Sequence, residues 1–426
     1  MKLFSTLILL MCAIPAHSEL AWKTLIYMQA DNDLAPYAFW DLREIAASTK
    51  AHGRSKTIVH LDLPGKDKLY EFEVLPDNKK VSQTLEDYQL ATLKDYNLKM
   101  LREKNEASSK GQEKQLLDFI AKANEDYPSK NTMLVIWGHG EGYGDGTQFG
   151  GVAIDQNPED RLGIPQLEKL LEEYYEQGHK KLSIIAMDAC LMQTIEVAAS
   201  LKNKSNYLIG STQIQNFKGL PYHLINDYVE LELEEEATSS DSSESYYLSK
   251  KIPFLLQEYY KDEFESETVS SLSVSELEQS FLPAFDRLFK KLNQRLETYP
   301  FEVLGLRKAI SQVPFFLGQT KDLSLLLSRL EEYFLEEGAE DLARLSSRAQ
   351  SALNYSILSY AYGSDYRTGE DEFYLGRFKA FGIWLPNSKK QYRQRIDKFE
   401  KSKLYASATF KSYREFLRIL FEKGLL

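Results

Sequence analysis

Residues 182–190 read LSIIAMDAC: an apolar run that stops at Met187, a two-residue turn, and then a cysteine. An apolar, isoleucine-rich run bounded by a turn predicts a strand buried on both faces. Residues 133–140, MLVIWGHG, have the same form, with an apolar run to Trp137 followed by a histidine between two glycines. Similar runs recur at Thr24–Met28, Thr57–Leu61, Tyr207–Gly210 and Phe381–Leu385. Amphipathic helical patterns lie between them, and that alternation predicts an α/β fold with a mainly parallel sheet wrapped by helices. Asp33 is placed to cap a helix whose inner face carries Leu34, Ala38, Leu42 and Ile45. Pro165 suits the first turn of one carrying Ile164, Leu167, Leu171 and Tyr174, and a third, with Leu191, Ile195 and Ala198, is expected to begin at Cys190.

In open α/β sheets ligands bind beyond the carboxyl ends of the strands, where Cys190 and His139 both stand. A helix start at Cys190 would offer unpaired N–H groups that stabilise a thiolate and lower the thiol pKa. The backbone N–H of Cys190 is a candidate oxyanion donor. Glycines on either side of His139 let the backbone approach a substrate closely, and the N–H of Gly140 is the candidate second donor. Taken singly, a free cysteine is most often a small buried hydrophobe and a loop histidine a structural hydrogen-bonding group. Together, at the tips of two strands, they predict a nucleophile and its base.

The composition narrows the partners. The chain has 426 residues, and the first eighteen read as an export signal: Lys2, an apolar run from Leu3 to Ile14, and Ala16 and Ser18 before a cut at Glu19. A buried helix or a membrane anchor is the competing reading, but the run is short for a bilayer. Cys12 falls within the signal, which leaves Cys190 as the sole thiol, so neither an internal disulfide nor a multi-cysteine metal site is expected. A net charge of −11 argues against tracking along nucleic acid and favours peptide or protein partners. After the signal, residues 19–229 are expected to form the core, 230–247 an acidic, serine-rich linker or loop, 248–370 a helical subdomain, and 371–426 a returning strand and terminal helix of the core.

His139 precedes Cys190 by 51 residues, close to the histidine-to-cysteine interval of caspases, although the turn here is Asp-Ala-Cys. Four stretches make the chain resemble the clostripain-like cysteine peptidases, which share the caspase and gingipain fold: WKTLIYMQADNDL at 22–34, LVIWGHG at 134–140, MDACLMQTIE at 187–196 and, more weakly, GIWLP at 382–386. The resemblance implies a caspase-like α/β/α sandwich and an exported cysteine endopeptidase with His139 as base and Cys190 as nucleophile. It places Asp188 near the floor of the pocket for the residue before the cut, where a carboxylate would pair with Arg or Lys; a helix cap is the alternative. The loop STQIQNFKGLPY at 211–222 departs from the pattern, because it lacks the acidic residues of many relatives and carries Lys218, which weakens the expectation of basic specificity.

Relatives are often activated by cleavage between the histidine and cysteine strands; here that interval holds Lys169, Lys180 and Lys181, and nothing in the residues selects one or requires processing. No cofactor is expected; some relatives need calcium, whose ligands cannot be read from the sequence. Asp31 and Asp33 resemble a family motif, yet helix capping accounts for them. The loop Gly140–Gly151 lacks a phosphate-cradle ending and reads as a mobile rim. His52, His60, His179 and His223 show no metal-ligand spacing. The competing reading is a catalytically silent protein that presents a groove to a partner.

Overall fold

The computed structural model describes residues 19–48, 53–65, 68–77, 79–82, 84–105, 111–146, 150–156, 159–236, 244–366 and 377–423. The expected signal at 1–18 and His52 lie outside them, as do residues 147–149 of the expected mobile rim. In chain order the strands are β1 (Leu20–Gln29), β2 (Ser55–Asp62), β3 (Lys68–Val74), β4 (Leu98–Asn105), β5 (Ser129–Trp137), β6 (Val152–Gln156), β7 (Glu159–Leu162), β8 (Leu182–Asp188), β9 (Ser205–Gly210), β10 (Thr268–Ser273), β11 (Phe315–Phe316), β12 (Thr320–Asp322), β13 (Ile357–Tyr362) and β14 (Gly382–Trp384). Nine of them form one sheet in the order β13-β10-β9-β8-β5-β1-β2-β3-β4. The five central strands, β9 to β2, are parallel. Antiparallel pairs close both edges.

Side chains alternate across a strand, so the continuous apolar runs feed two cores at once. From β1, Leu25 and Tyr27 join one core, whereas Trp22, Ile26 and Met28 join the other. The first core is covered by helices at Gly111–Asp126, Ile164–Glu176 and Ala408–Arg418, the second by those at Ala35–Ala46, Tyr222–Glu236 and Glu244–Tyr260. The result is the expected mixed α/β sandwich with helices following in the C-terminal half.

Four expectations need correction. Residues 230–236 finish the Tyr222–Glu236 helix rather than forming a linker, because Val229 and Leu233 turn inward and Arg54 donates to the carbonyl of Leu233 at 2.7 Å. Residues 237–243 lie outside the described set. The segment 248–370 is not only helical: β10 and β13 extend the main sheet beyond β9. Its helices at Leu282–Thr298, Leu323–Glu336 and Glu340–Ser356 share the sheet's first core. The strand expected near Phe381–Leu385 does not return to the main sheet. As β14 it joins β11 and β12, and the N–H of Gly382 bonds the carbonyl of Gln193 at 2.9 Å.

The helix expected at Cys190 begins instead at Ile195, capped by Thr194. Leu191 has φ +64°, a left-handed conformation that a right-handed helix cannot incorporate. The N–H groups of Leu191 and Gln193 meanwhile bond the carbonyls of Gln213 and Ser211 in the neighbouring loop.

Candidate active site

Adjacent parallel strands bring the candidate residues to one edge. Met28 of β1 pairs with Trp137 of β5, and Trp137 with Asp188 of β8, so three strand ends form a row. Asp33, His139 and Cys190 follow those ends within five residues. The N–H of Gly138 bonds the carbonyl of Asp188 at 3.2 Å, tying the histidine loop to the cysteine turn. A Cβ on Gly140 would lie 2.3 Å from the carbonyl oxygen of Cys190 and 3.1 Å from its nitrogen, so only glycine permits this approach. His139, Cys190 and Asp188 line one cleft with Leu34, Trp137 and Gln215.

Two features of this cleft went unread in the sequence. Asp33 caps no helix; the N–H of Leu34 is taken by Asn32 Oδ1 instead. The Asp33 carboxylate lies 2.7 Å from His139 Nε2 and accepts a hydrogen bond there. With Nε2 as donor, a neutral imidazole carries its lone pair on Nδ1. The other is Gln215, whose backbone N–H reaches Cys190 Sγ at 3.4 Å and whose side-chain amide donates to Asp188 Oδ1. Neither contact has a periodic or local signature, since each joins loops from different strands.

The electrostatics also differ from expectation. Burial raises the Cys190 thiol above its ordinary range; the Gln215 N–H opposes the shift and the charge of Asp188 adds to it. The expected lowering required a helix start that lies five residues further on. Asp188 caps no helix either. Its Oδ2 accepts from the N–H of Leu220 at 3.0 Å and the hydroxyl of Tyr222 at 2.6 Å, and burial pushes its carboxyl up to about 6. Gly219, at φ +65°, lets the loop close on this carboxylate, for a Cβ there would stand 2.7 Å from Oδ2. Lys218 turns away, its ammonium 3.0 Å from Glu263 and 5.1 Å above the Trp40 ring.

Among the other histidines, His60 is packed between Tyr27 and Phe119, His179 stacks on Tyr174, and His223 approaches Glu44 at 3.4 Å. Among the described residues no three His, Cys, Asp or Glu side chains converge to hold a metal ion. No described helix is long and apolar enough to cross a membrane.

Comparison with known proteins bears on the family and the fold. The sequence profile of the clostripain family matches residues 26–413. Three solved structures superpose on most of the chain. An inactive zymogen protease from Parabacteroides distasonis is 16% identical with a TM-score of 0.63, covering 92% of this chain and 98% of its own. A secreted cysteine protease from Bacteroides thetaiotaomicron, in complex with an irreversible peptide inhibitor, is 17% identical with a TM-score of 0.59, covering 92% and 99%. A structure from the same organism named iotapain, also described as secreted, is 19% identical with a TM-score of 0.60, covering 92% and 100%. No curated protein matches the chain.

Proposed function

The chain belongs to the clostripain family and is a cysteine peptidase acting on peptides or proteins, and from that premise we propose an exported endopeptidase that works through Cys190 and His139. The observation that carries the assignment is the fit of Gly140 against the Cys190 backbone, which brings the histidine and cysteine loops of two adjacent strands into backbone contact. Because burial keeps the resting thiol protonated, the nucleophile needs a base. Cys190 Sγ attacks the scissile carbonyl as its proton passes to His139 Nδ1. The N–H groups of Cys190 and Gly140 receive the oxyanion. His139 then protonates the leaving amine, and a water deprotonated by the same nitrogen hydrolyses the thioester. Asp33, accepting from Nε2, orients the ring.

Asp188 is the proposed floor of the pocket for the residue before the cut, with Arg or Lys as the preferred residue. The position of Lys218 supports this, since its charge is directed to Glu263 and the Trp40 ring instead of Asp188. Export rests on the apolar leader at 1–18.

The test is a peptide-library digest run beside Cys190→Ala and His139→Ala. The expected result is cleavage after basic residues, reduced at least about a thousandfold in either variant while its melting temperature holds. Peptidase activity in a clean Cys190→Ala preparation would reject the assignment.

A further inference from the structure

Three carboxylates are buried side by side beneath the cleft: Asp41, Glu44 and Asp188 are each no more than 5% exposed. Neutral donors hold them. Trp137 Nε1 reaches Asp41 at 2.6 Å; the N–H of Tyr222 and the hydroxyl of Tyr259 reach Glu44 at 3.0 and 2.6 Å; Gln215, Leu220 and Tyr222 serve Asp188. Among the described residues no lysine or arginine forms an ion pair with any of the three, and only His223 approaches Glu44. Burial without a fixed cation raises the carboxyls of Asp41 and Asp188 above their ordinary range, and a cation entering from the cleft would favour the ionised form of Asp188.

The two oxygens of Asp188 are served differently. Oδ2 is bound by a backbone N–H and a buried tyrosine. Among the described residues Oδ1 accepts only from the Gln215 amide, on a loop that lines the cleft. With that amide in place the cleft retains about 40 Å³ of open space, room for roughly two or three waters and too little for a lysine or arginine side chain. The backbone N–H of the same residue covers Cys190 Sγ.

We infer that Gln215 is an intramolecular competitor for the specificity pocket: its amide takes the place on Asp188 Oδ1 that a substrate ammonium or guanidinium would occupy, and its displacement by that cation also uncovers the thiol. The inference rests on the reading of this cleft as the peptidase site and names what opens it. A neutral side chain that pushed Gln215 aside would leave Oδ1 unsatisfied, whereas a cation replaces a neutral donor by a stronger one. The apparent affinity of every substrate is lowered by the fraction of molecules that are closed.

The experiment measures alkylation of Cys190 by iodoacetamide, followed by mass spectrometry, with and without millimolar n-butylguanidinium. The cation should accelerate alkylation of the wild-type enzyme about tenfold, the worth of one hydrogen bond to a charged group, and butanol should not. Gln215→Ala, confirmed folded by circular dichroism, should be alkylated about tenfold faster without the cation and gain little from it; its KM for lysyl substrates should fall. A rate unchanged or slowed by the cation, equal acceleration by butanol, or unaltered alkylation of Gln215→Ala would each overturn the inference. The underlying assignment fails by a separate sign, peptide cleavage that survives Cys190→Ala.

Discussion

Gly140 carries a constraint that is steric and not conformational. Its φ is not in the left-handed region, yet any Cβ would strike the Cys190 carbonyl and come within 3.0 Å of the Ala189 Cβ. Gly140→Ala must therefore push the histidine loop away from the cysteine turn by a sizeable fraction of an ångström. A misplacement of about 1 Å in reacting groups costs on the order of a hundredfold in rate. Turnover of Gly140→Ala is expected to fall by about that factor with a smaller effect on the melting temperature, because the strain falls on two loop tips at the rim of the first core, which Ala189 joins. An alanine variant as active as the parent would show that the approach of the two loops is unimportant for catalysis. At this scale the sequence was informative where chemistry is local: His139 between glycines and a lone cysteine after a strand were legible. Asp33 reads as a cap because a carboxylate ahead of a helix has that role by default, and its bond to His139 spans 106 positions. Gln215, an amide in an unpatterned loop, offered no sign of what it meets.

Glu196 shows what a single element can hold. It lies in the short helix Ile195–Ser200 and accepts from the N–H of Trp384 in β14 at 3.0 Å and from the Tyr405 hydroxyl at 3.2 Å, clasping the C-terminal segment to the turn that bears Cys190. Burial pushes its carboxyl up to about 7; these hydrogen bonds oppose the shift without cancelling it. The folded protein thus keeps a proton that the unfolded chain releases near the ordinary carboxyl value. Between those two pH values the native state binds more protons, so stability falls as pH rises from about 4.5 to about 7 and levels off above. Asp188 and Asp322, both raised to about 6 by burial, act in the same direction. Glu196→Gln should flatten the slope and be more stable than the parent at pH 8, by on the order of 2 kcal/mol. Urea midpoints at pH 5 and pH 8 would reveal it, and a variant with the parental slope would mean that Glu196 is ionised in the fold. The same region marks the limit of pattern reading for elements. The five parallel strands announced themselves by continuous apolar runs. β10, Thr-Val-Ser-Ser-Leu-Ser, is fully buried yet reads as a polar loop, and β14 looks like a sheet strand although it pairs with the three-residue β12 and bonds the Gln193 carbonyl.

Across the whole molecule, sheet geometry decides how any cleavage between the histidine and cysteine strands could occur. Lys180 and Lys181 precede Leu182 at the amino end of β8, whereas the cleft opens beyond its carboxyl end. Seven residues of strand at about 3.3 Å each put roughly 20 Å of sheet between them. Lys169 lies within the Ile164–Glu176 helix, where the backbone is not extended for attack. Lys180 is also paired with Glu19, just before β1. A molecule cannot present these bonds to its own cysteine without dismantling β8, which is hydrogen-bonded on both sides to β5 and β9. Processing at Lys180 or Lys181 is therefore expected to be intermolecular. Its initial rate should rise with the square of protein concentration, and a Cys190→Ala precursor should be cut only when active enzyme is added. The two pieces should then stay associated through the β5-β8-β9 ladder and co-elute in gel filtration. Electrophoresis of precursor diluted across a hundredfold range provides the measurement, and a half-time independent of dilution would show that the cleft reaches its own chain.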